Sequence, residues 1–411
     1  MTHEKIARLR ASARQVLEDN ILRFWAEQMY DPEGGFYGRM DGQNVLHPEA
    51  ERGAVLNARL LWSFAAAYRV LRKPDYLRLA THAKEYICAR FLDKEQGGCY
   101  WSVSADGQPL DTKKQTYAIG FMIYGFSEYH RATGDQQALD IAVRLFHDIE
   151  AHTFDAVHIG YIEALTRDWQ PIADMRLSDK DENAAFTMNT HLHILESYTN
   201  LYRVWRDPRL AERLRLLIRI FTNKLYNPDN HHVDCFFDTH WHGKRNIASY
   251  GHDIEAAWLL NEALDVLGDE RLTAQVRPVT ARIAEASVEG LQPDGSMEHE
   301  NHDASRQWWV ECEAVIGFVD QWERLEVRGE RLAFSGDAGH YWQLAERVFA
   351  YICDHLIDRE HGEWYWAILP DGTTDTVNDK AGFWKCPYHN SRMCLEMIER
   401  FEDLKIVSET V

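Results

Sequence analysis

Two kinds of helical pattern alternate along the chain. One kind is apolar on nearly all sides, which is typical of a helix buried over most of its surface. It occurs at residues 54–71, 116–129, 188–204, 252–267, 308–322 and 391–401. The other kind has one apolar and one charged face, and it occurs at residues 4–30, 75–91, 136–151, 208–225, 270–288 and 341–357. We therefore expect six inner helices, each paired with an outer amphipathic helix.

Short segments rich in glycine and aromatic residues separate the helix pairs. They are centred on Tyr37, Tyr100, Tyr161, Cys235, Met297 and Tyr365. Asp-Gly pairs such as Asp106-Gly107 and Asp294-Gly295 indicate tight hairpin turns beside them. A regular repeat of one hairpin and two helices predicts an all-α fold, an (α/α)6 barrel with short β-hairpins at one end. We expect residues 1–411 to form a single catalytic domain, because no low-complexity linker interrupts them.

Polar and aromatic side chains stand near the starts of the expected inner helices. Inner helices of such a barrel run parallel, so their N-termini meet at one end and these side chains converge on one cavity. The set comprises Arg59, Trp62, Tyr117, Asn189, His193, His252, Glu255, Trp308, Trp309 and His389.

Charge and composition narrow the possible partners. The formal net charge of −20 argues against nucleic acid and anionic membrane surfaces. No run approaches the roughly 18 apolar residues of a membrane-spanning helix, and the first residues begin an amphipathic helix rather than a signal sequence. The 7 cysteines are scattered and form no CxxC pair, which favours reduced thiols in the cytoplasm.

His252 and Glu255 lie three residues apart at the start of an apolar helix, so they share one side of its first turn. A carboxylate that reaches a histidine sets its tautomer and basicity. Taken alone, the pair is better explained as a surface contact or as a core histidine with its hydrogen bonds satisfied. Arg59 lies inside another apolar helix and needs either a structural carboxylate, for which Glu196 is a candidate, or a ligand oxygen.

The segment 188–193 contains a His-x-His pair that resembles a metal site. On a helix, residues two apart point about 200° away from each other, so His191 and His193 cannot serve one site. Asn189 and His193 share a face, and we expect these two to line the cavity. A second histidine group at His240 and His242 matches no zinc signature, which favours an exposed polar hairpin.

Aromatic side chains at the same end are candidates for stacking on a sugar ring. Of Trp308 and Trp309, one is expected in the core and the other against the apolar face of a pyranose. Trp384, five residues before His389, is a second candidate. The chain has no glycine-rich phosphate loop and no GxSxG turn, so it supports neither a nucleotide cofactor nor a serine nucleophile.

Taken together, the segments 57–62, 188–193 and 251–255 and the region of His389 resemble the N-acylglucosamine 2-epimerase superfamily, and within it the cellobiose 2-epimerase branch. The resemblance covers almost the whole chain. It implies an (α/α)6 barrel and reversible, cofactor-free epimerisation at C2 of a reducing-end aldose, with no metal. It also implies that His252 and His389 form the acid/base pair and that Glu255 tunes His252. The implied sugar contacts are Arg59, Tyr117, Asn189, His193, Trp309 and Trp384.

Several alternatives stay open. Within the superfamily these are a mannose 2-epimerase and an aldose–ketose isomerase, and the sugar substrate is a mono- or disaccharide. A different enzyme class, the inverting glycoside hydrolases, needs two carboxylates, for which Glu311 and Glu313 are candidates. A non-catalytic sugar-binding barrel is the third possibility.

Overall fold

The structure, a computed structural model, describes residues 3–245, 247–331 and 337–408 and is mostly helical. Its helices are α1 (His3–Val16), α2 (Arg23–Glu27), α3 (Ala54–Leu71), α4 (Pro74–Arg90), α5 (Thr116–Thr133), α6 (Gln136–His152), α7 (Met188–Val204), α8 (Pro208–Ile220), α9 (Tyr250–Leu267), α10 (Glu270–Ser287), α11 (Trp308–Trp322), α12 (Ala338–Tyr351) and α13 (Tyr388–Ser408). Short π- or 3-10-helical segments follow five of them, at Leu17–Leu22, Phe221–Leu225, Val288–Gly290, Glu323–Val327 and Ile352–Leu356.

The odd-numbered helices from α3 to α13 form the inner ring. Each one packs against the next, and α13 packs back against α3, so the ring is closed. The outer helices α4, α6, α8, α10 and α12 lie on α3, α5, α7, α9 and α11, whereas α1 lies on α13. The (α/α)6 barrel expected from the alternating patterns is confirmed. No helix of the described ranges is long and apolar enough to cross a bilayer.

The strands are short, and four of them lead directly into inner helices. They are β1 (Arg52–Gly53), β2 (Ser102–Val103), β3 (Pro109–Asp111), β4 (Lys114–Gln115), β5 (Phe154–Asp155), β6 (Gly160–Tyr161), β7 (Ala164–Leu165), β8 (Phe186–Thr187), β9 (Phe236–Phe237), β10 (Arg306–Gln307) and β11 (Ala367–Ile368). All pairings are antiparallel, in the order β1-β2-β3 and in the pairs β4–β7, β5–β6, β8–β9 and β10–β11. Because β1, β4, β8 and β10 end where α3, α5, α7 and α11 begin, they fix the starts of these helices.

The repeating glycine/aromatic segments are the hairpins expected from the sequence. Each one pairs with residues that closely follow the end of the preceding outer helix. The pairs are Tyr30 with Phe36, Leu92 with Cys99, β5 with β6, Tyr226 with Val233, Leu291 with Met297, and Ile357 with Trp364. The repeat in the sequence is therefore a repeat of one structural unit, helix, hairpin and helix.

The last inner helix differs from its expected range. The pattern predicted a helix over 391–401, but α13 begins at Tyr388, directly after Pro387, and ends at Ser408. The Pro387 carbonyl already accepts the Ser391 N–H at 3.2 Å. A proline is tolerated at a helix start, where its missing N–H has no partner to lose. The earlier start places His389 in the first turn of α13, at the same end of the barrel as the other inner-helix starts.

Candidate active site

His252 lies in the first turn of α9 with its side chain partly exposed. Its Nδ1 is 2.8 Å from Oγ of Ser249, the residue that precedes the helix. Its ring lies 4.7 Å from the ring of Trp309 on α11, measured between centroids. Gly251 permits this approach, because a Cβ at that position would stand 2.8 Å from the Trp309 ring. The hydroxyl therefore orients His252 and leaves Nε2 available.

Glu255 does not orient His252, contrary to the expectation from their spacing. Its Oε1 accepts a hydrogen bond of 2.7 Å from Nη2 of Arg392 on α13. Both groups are fully buried, and a buried carboxylate requires a charged or hydrogen-bonding partner. The arginine that satisfies it lies 137 residues away in sequence, so local spacing could not identify it.

His389 has the carboxylate partner that was expected for His252. Its Nδ1 is 2.7 Å from Oε1 of Glu313, and Oε2 of Glu313 accepts a hydrogen bond of 2.9 Å from Nε1 of Trp258. Nη2 of Arg392 also donates to Glu313 Oε1, at 2.7 Å. A carboxylate on Nδ1 fixes the proton there and leaves Nε2 of His389 as the basic atom.

Trp309, rather than Trp308, lies close to both histidines. Its ring centroid is 4.7 Å from that of His252 and 5.8 Å from that of His389, so both imidazoles border one space. Trp308 packs on Trp366, with ring centroids 4.6 Å apart. This geometry agrees with the choice of Trp309 as the sugar contact, although that role stays a prediction.

Burial is the main influence on both histidines and lowers their pKa values well below the usual range. Around His389, the guanidinium groups of Arg59 and Arg392 lower the pKa further. Around His252, neighbouring histidines, with His299 first, act in the same direction. The neutral form of such an imidazole persists to lower pH and can accept a proton there, and its protonated form gives the proton up readily.

Arg59 lies on the wall formed by α3 and has no ion pair with a carboxylate in the described part of the chain. Its Nη2 donates to the Tyr117 hydroxyl at 2.8 Å, and its guanidinium lies 4.2 Å from the ring centre of Phe121 and 4.5 Å from that of Tyr388. Glu196, considered above as its partner, contacts His193 and Arg392 instead. A buried cation without a direct counter-ion favours a ligand oxygen that bears negative charge.

The two histidines of the His-x-His segment separate as their spacing requires. Nε2 of His191 accepts the Tyr161 N–H at 3.0 Å, so its Nδ1 donates to the Thr187 carbonyl at 2.7 Å, and the ring is fully used in the core. His193 points to the other side, where its ring lies 5.0 Å from that of Tyr117. Nδ1 of His193 is 2.8 Å from Oε2 of Glu196.

Asn189 and His252 border the same cavity at the mouth of the barrel. The Oδ1 atom of Asn189 is buried and has no hydrogen-bond partner. Glu163 lies at the base of this cavity, where burial raises its pKa to about 7. Trp384 lies on another side of the site, with its ring centroid 6.0 Å from that of Tyr117. All of the candidate side chains thus belong to the same end of the barrel.

Sequence reasoning missed Arg392 and assigned Glu313 only to a possible hydrolase. Arg392 follows His389 by three residues on α13 and therefore lies on the same side of that helix. That spacing was visible in the sequence. What it could not reveal is the convergence of Glu196, Glu255 and Glu313 on this one guanidinium from three other helices.

One set of three possible metal ligands exists within the described ranges, namely Glu255, Glu313 and His389, whose donor atoms lie within 4.8 Å of one another. Nη2 of Arg392 donates to both carboxylates, so the guanidinium already occupies the place of a cation there. The hairpin histidines have separate partners: His242 contacts Asp238, and His232 contacts Asp253.

We therefore expect activity to survive exhaustive treatment with a strong chelator. Initial rates before and after chelation, with metal content measured on the same samples, test this expectation. Loss of activity that one divalent metal restores would contradict it.

Comparison with known proteins gives one consistent family. The family model described as N-acylglucosamine 2-epimerase (GlcNAc 2-epimerase) matches residues 35–391. The cellobiose 2-epimerase of Bacteroides fragilis is 52% identical over 95% of this chain and 98% of its own length. That of Ruminococcus albus is 40% identical over 95% of this chain and 98% of its own length.

A solved structure agrees with these relatives. The structure of cellobiose 2-epimerase from Bacillus thermoamylovorans superimposes with a TM-score of 0.88 at 40% identity, covering 96% of this chain and 100% of the other. The chain belongs to the N-acylglucosamine 2-epimerase family and is a carbohydrate epimerase, which makes it an isomerase.

Proposed function

We propose that this enzyme interconverts glucose- and mannose-type residues at C2 of the reducing-end aldose of a disaccharide such as cellobiose. The observation that carries the proposal is that His252 and His389 both lie next to Trp309 and that each is held at Nδ1 by its own partner. The relatives named as cellobiose 2-epimerases, similar over nearly their full length, support cellobiose as the substrate to test first.

The reaction begins with the open-chain sugar, because only its C1 carbonyl acidifies the C2 proton. A neutral imidazole accepts this proton at Nε2 and an ene-diolate forms. The other histidine, protonated, then donates to the opposite face of C2 and inverts the centre. The first histidine gains the C2 proton and the second gives up its own, so the pair keeps its net charge and no redox cofactor is required.

Arg59 is the group best placed to stabilise the ene-diolate. Its guanidinium is buried, lacks a carboxylate partner and is held by the Tyr117 hydroxyl. A fixed positive charge in a site of low dielectric stabilises an oxyanion as it develops. We assign Asn189, His193, Trp309 and Trp384 to the binding of the sugar around this centre.

Glycoside hydrolysis finds less support in the geometry. An inverting hydrolase needs one carboxylate to activate water and a second to protonate the leaving group. Glu311 is fully buried, and its Oε1 accepts the Met297 N–H at 3.0 Å, so it holds the hairpin in place. Glu313 is engaged by His389, Arg392 and Trp258.

The deciding experiment incubates the enzyme with cellobiose, lactose, glucose and mannose in heavy water and follows the products by NMR. We expect the C2 epimer of cellobiose with deuterium at C2. A ketose product would favour the aldose–ketose isomerase. Reaction on mannose alone would favour the mannose 2-epimerase, and cleavage of the disaccharide would favour the hydrolase. No change in any of the four sugars would contradict the proposed substrate.

The pH dependence of kcat/KM should reflect the lowered pKa values of His252 and His389. Because burial lowers the pKa of His252 and of His389, their neutral forms persist to lower pH than that of an exposed histidine. The acid limb of kcat/KM is therefore expected on the acid side of the ordinary histidine pKa of about 6.5. A pH–rate profile in constant-ionic-strength buffers measures it, and an acid limb at or above the ordinary value would contradict the expectation.

A further inference from the structure

Arg392 is the centre of a buried network that joins four inner helices. Its side chain is 1% exposed. Its Nη2 donates to Oε1 of Glu255 and to Oε1 of Glu313, each at 2.7 Å. Its Nη1 contacts Glu196 and the Tyr388 hydroxyl. The Tyr388 ring lies 4.3 Å from the guanidinium carbon, measured to the ring centre, so the cation is enclosed as well as paired.

The network contains more negative than positive charge. Three carboxylates on α7, α9 and α11 share the one guanidinium of Arg392. Burial raises the pKa of Glu255 well above its usual range, and the nearby charge of Glu313 adds to this rise. Burial also raises the pKa of Glu313, but the guanidinium of Arg392 opposes that rise. The guanidinium of Arg392 therefore favours the ionised form of Glu313.

The two proton-transfer histidines depend on this network to different degrees. His389 contacts Glu313 directly, and Glu313 contacts Arg392. His252 contacts the uncharged Ser249 hydroxyl instead. Loss of the guanidinium charge should therefore change the protonation of His389 much more than that of His252.

We propose that Arg392 is a positioning residue that keeps Glu313 ionised, so that His389 carries its proton on Nδ1 and presents a basic Nε2 to the sugar. The inference rests on the proposed two-histidine epimerisation. It assigns to Arg392 the control of proton transfer on one of the two faces of C2. Without the guanidinium, Glu313 takes up a proton from water. Its O–H then donates a hydrogen bond to Nδ1 of His389. The imidazole proton then lies on Nε2, which cannot accept the C2 proton.

Other ionisable groups surround the same atoms and must be considered in any pH profile. They come from every inner helix that packs against the network, namely Arg59 on α3, Tyr117 and Tyr124 on α5, His193 and Glu196 on α7, Glu255 on α9, Glu313 and Cys312 on α11, and Tyr388 and His389 on α13. Although burial opposes it, Arg392 and His193 hold the pKa of Glu196 at about 2. Glu196 is therefore ionised throughout the range in which His389 acts.

The test measures C2 deuterium exchange separately in each epimer with Arg392→Met. Exchange in the epimer served by His389 should fall about 100-fold at pH 7, and exchange in the epimer served by His252 by less than about 5-fold. The His252→Ala and His389→Ala variants identify which epimer belongs to which histidine. Because Glu313 regains its charge at higher pH, the lost exchange should recover as pH rises. Arg392→Lys should restore part of it.

Glu313→Gln gives a second variant in case Arg392→Met does not fold. Its amide donates to Nδ1 of His389 at every pH, so it should show the same loss in one epimer but no recovery at high pH. Arg324→Met is the matched control, because Arg324 is equally buried and pairs with Asp320 and Asp265 away from the site. It should leave both exchanges unchanged.

The outcomes separate the inference from the function on which it rests. If the wild-type enzyme exchanges neither epimer, the proposed epimerisation fails. A second outcome is that the wild type exchanges both epimers while the folded Arg392→Met or Glu313→Gln variant loses both exchanges equally, or loses neither exchange. Arg392 is then a structural residue, and the inference is overturned.

Discussion

Alanine at His252 or at His389 is expected to abolish net epimerisation but to leave deuterium exchange in one epimer. The two rings both lie next to Trp309, and each one has its own partner at Nδ1. The histidine that remains can still remove and return a proton on its own face of C2. Net epimerisation should fall on the order of 10²–10⁴-fold, the usual scale for loss of an acid/base group.

The measurement follows the C2 proton signal of purified glucose-type and mannose-type substrates in heavy water. The two variants should exchange different epimers. His242→Ala is a control, because this exposed histidine belongs to a hairpin outside the site. Exchange of the same epimer by both variants, or near-normal epimerisation by either, would show that the two-face assignment is wrong.

Replacement of Arg59 by methionine is expected to cause the second large loss of turnover. The ene-diolate would lose the charge of Arg59, a buried cation with no carboxylate partner in the described part of the chain. Loss of a preorganised group that stabilises an oxyanion costs about 10²–10³-fold in turnover. Because the negative charge develops only after C2 is deprotonated, kcat should fall far more than KM rises.

Steady-state kinetics on the disaccharide, with deuterium exchange of both epimers, test the role of Arg59. Both exchanges should fall together, since the same ene-diolate forms from either epimer. Arg69→Met is the matched control, because Arg69 lies at the far end of the same helix and pairs with Glu128 and Glu399. Unchanged kcat with a raised KM would instead make Arg59 a binding residue only.

The inner-helix starts show how far the sequence specifies this site. Near-continuous apolar patterns identified the six inner helices, and the repeating hairpins placed their N-termini together. His252, His193 and Arg59 were found in this way, because each one is a polar residue inside an apolar pattern. His389 was also placed near an inner-helix start, although the pattern began its helix three residues too late, and its acid/base role came from the family resemblance.

Partner assignments could not be made from the sequence. Glu255 is close to His252 along the helix, yet its carboxylate bonds to Arg392 on α13. Glu313 is 76 residues from His389, yet it is the group that contacts Nδ1. In each case the partner comes from another inner helix, and the choice depends on which side chains face each other when the ring closes.

The sequence by itself determined the alternation of helices, the repeat and the common end at which the polar residues meet, because these follow from local periodicity. Only the tertiary structure decided that Trp309 rather than Trp308 borders both histidines and that three carboxylates share one arginine. The physical reason is that a buried charge must find its partner in space, and in this barrel the partner lies on another helix.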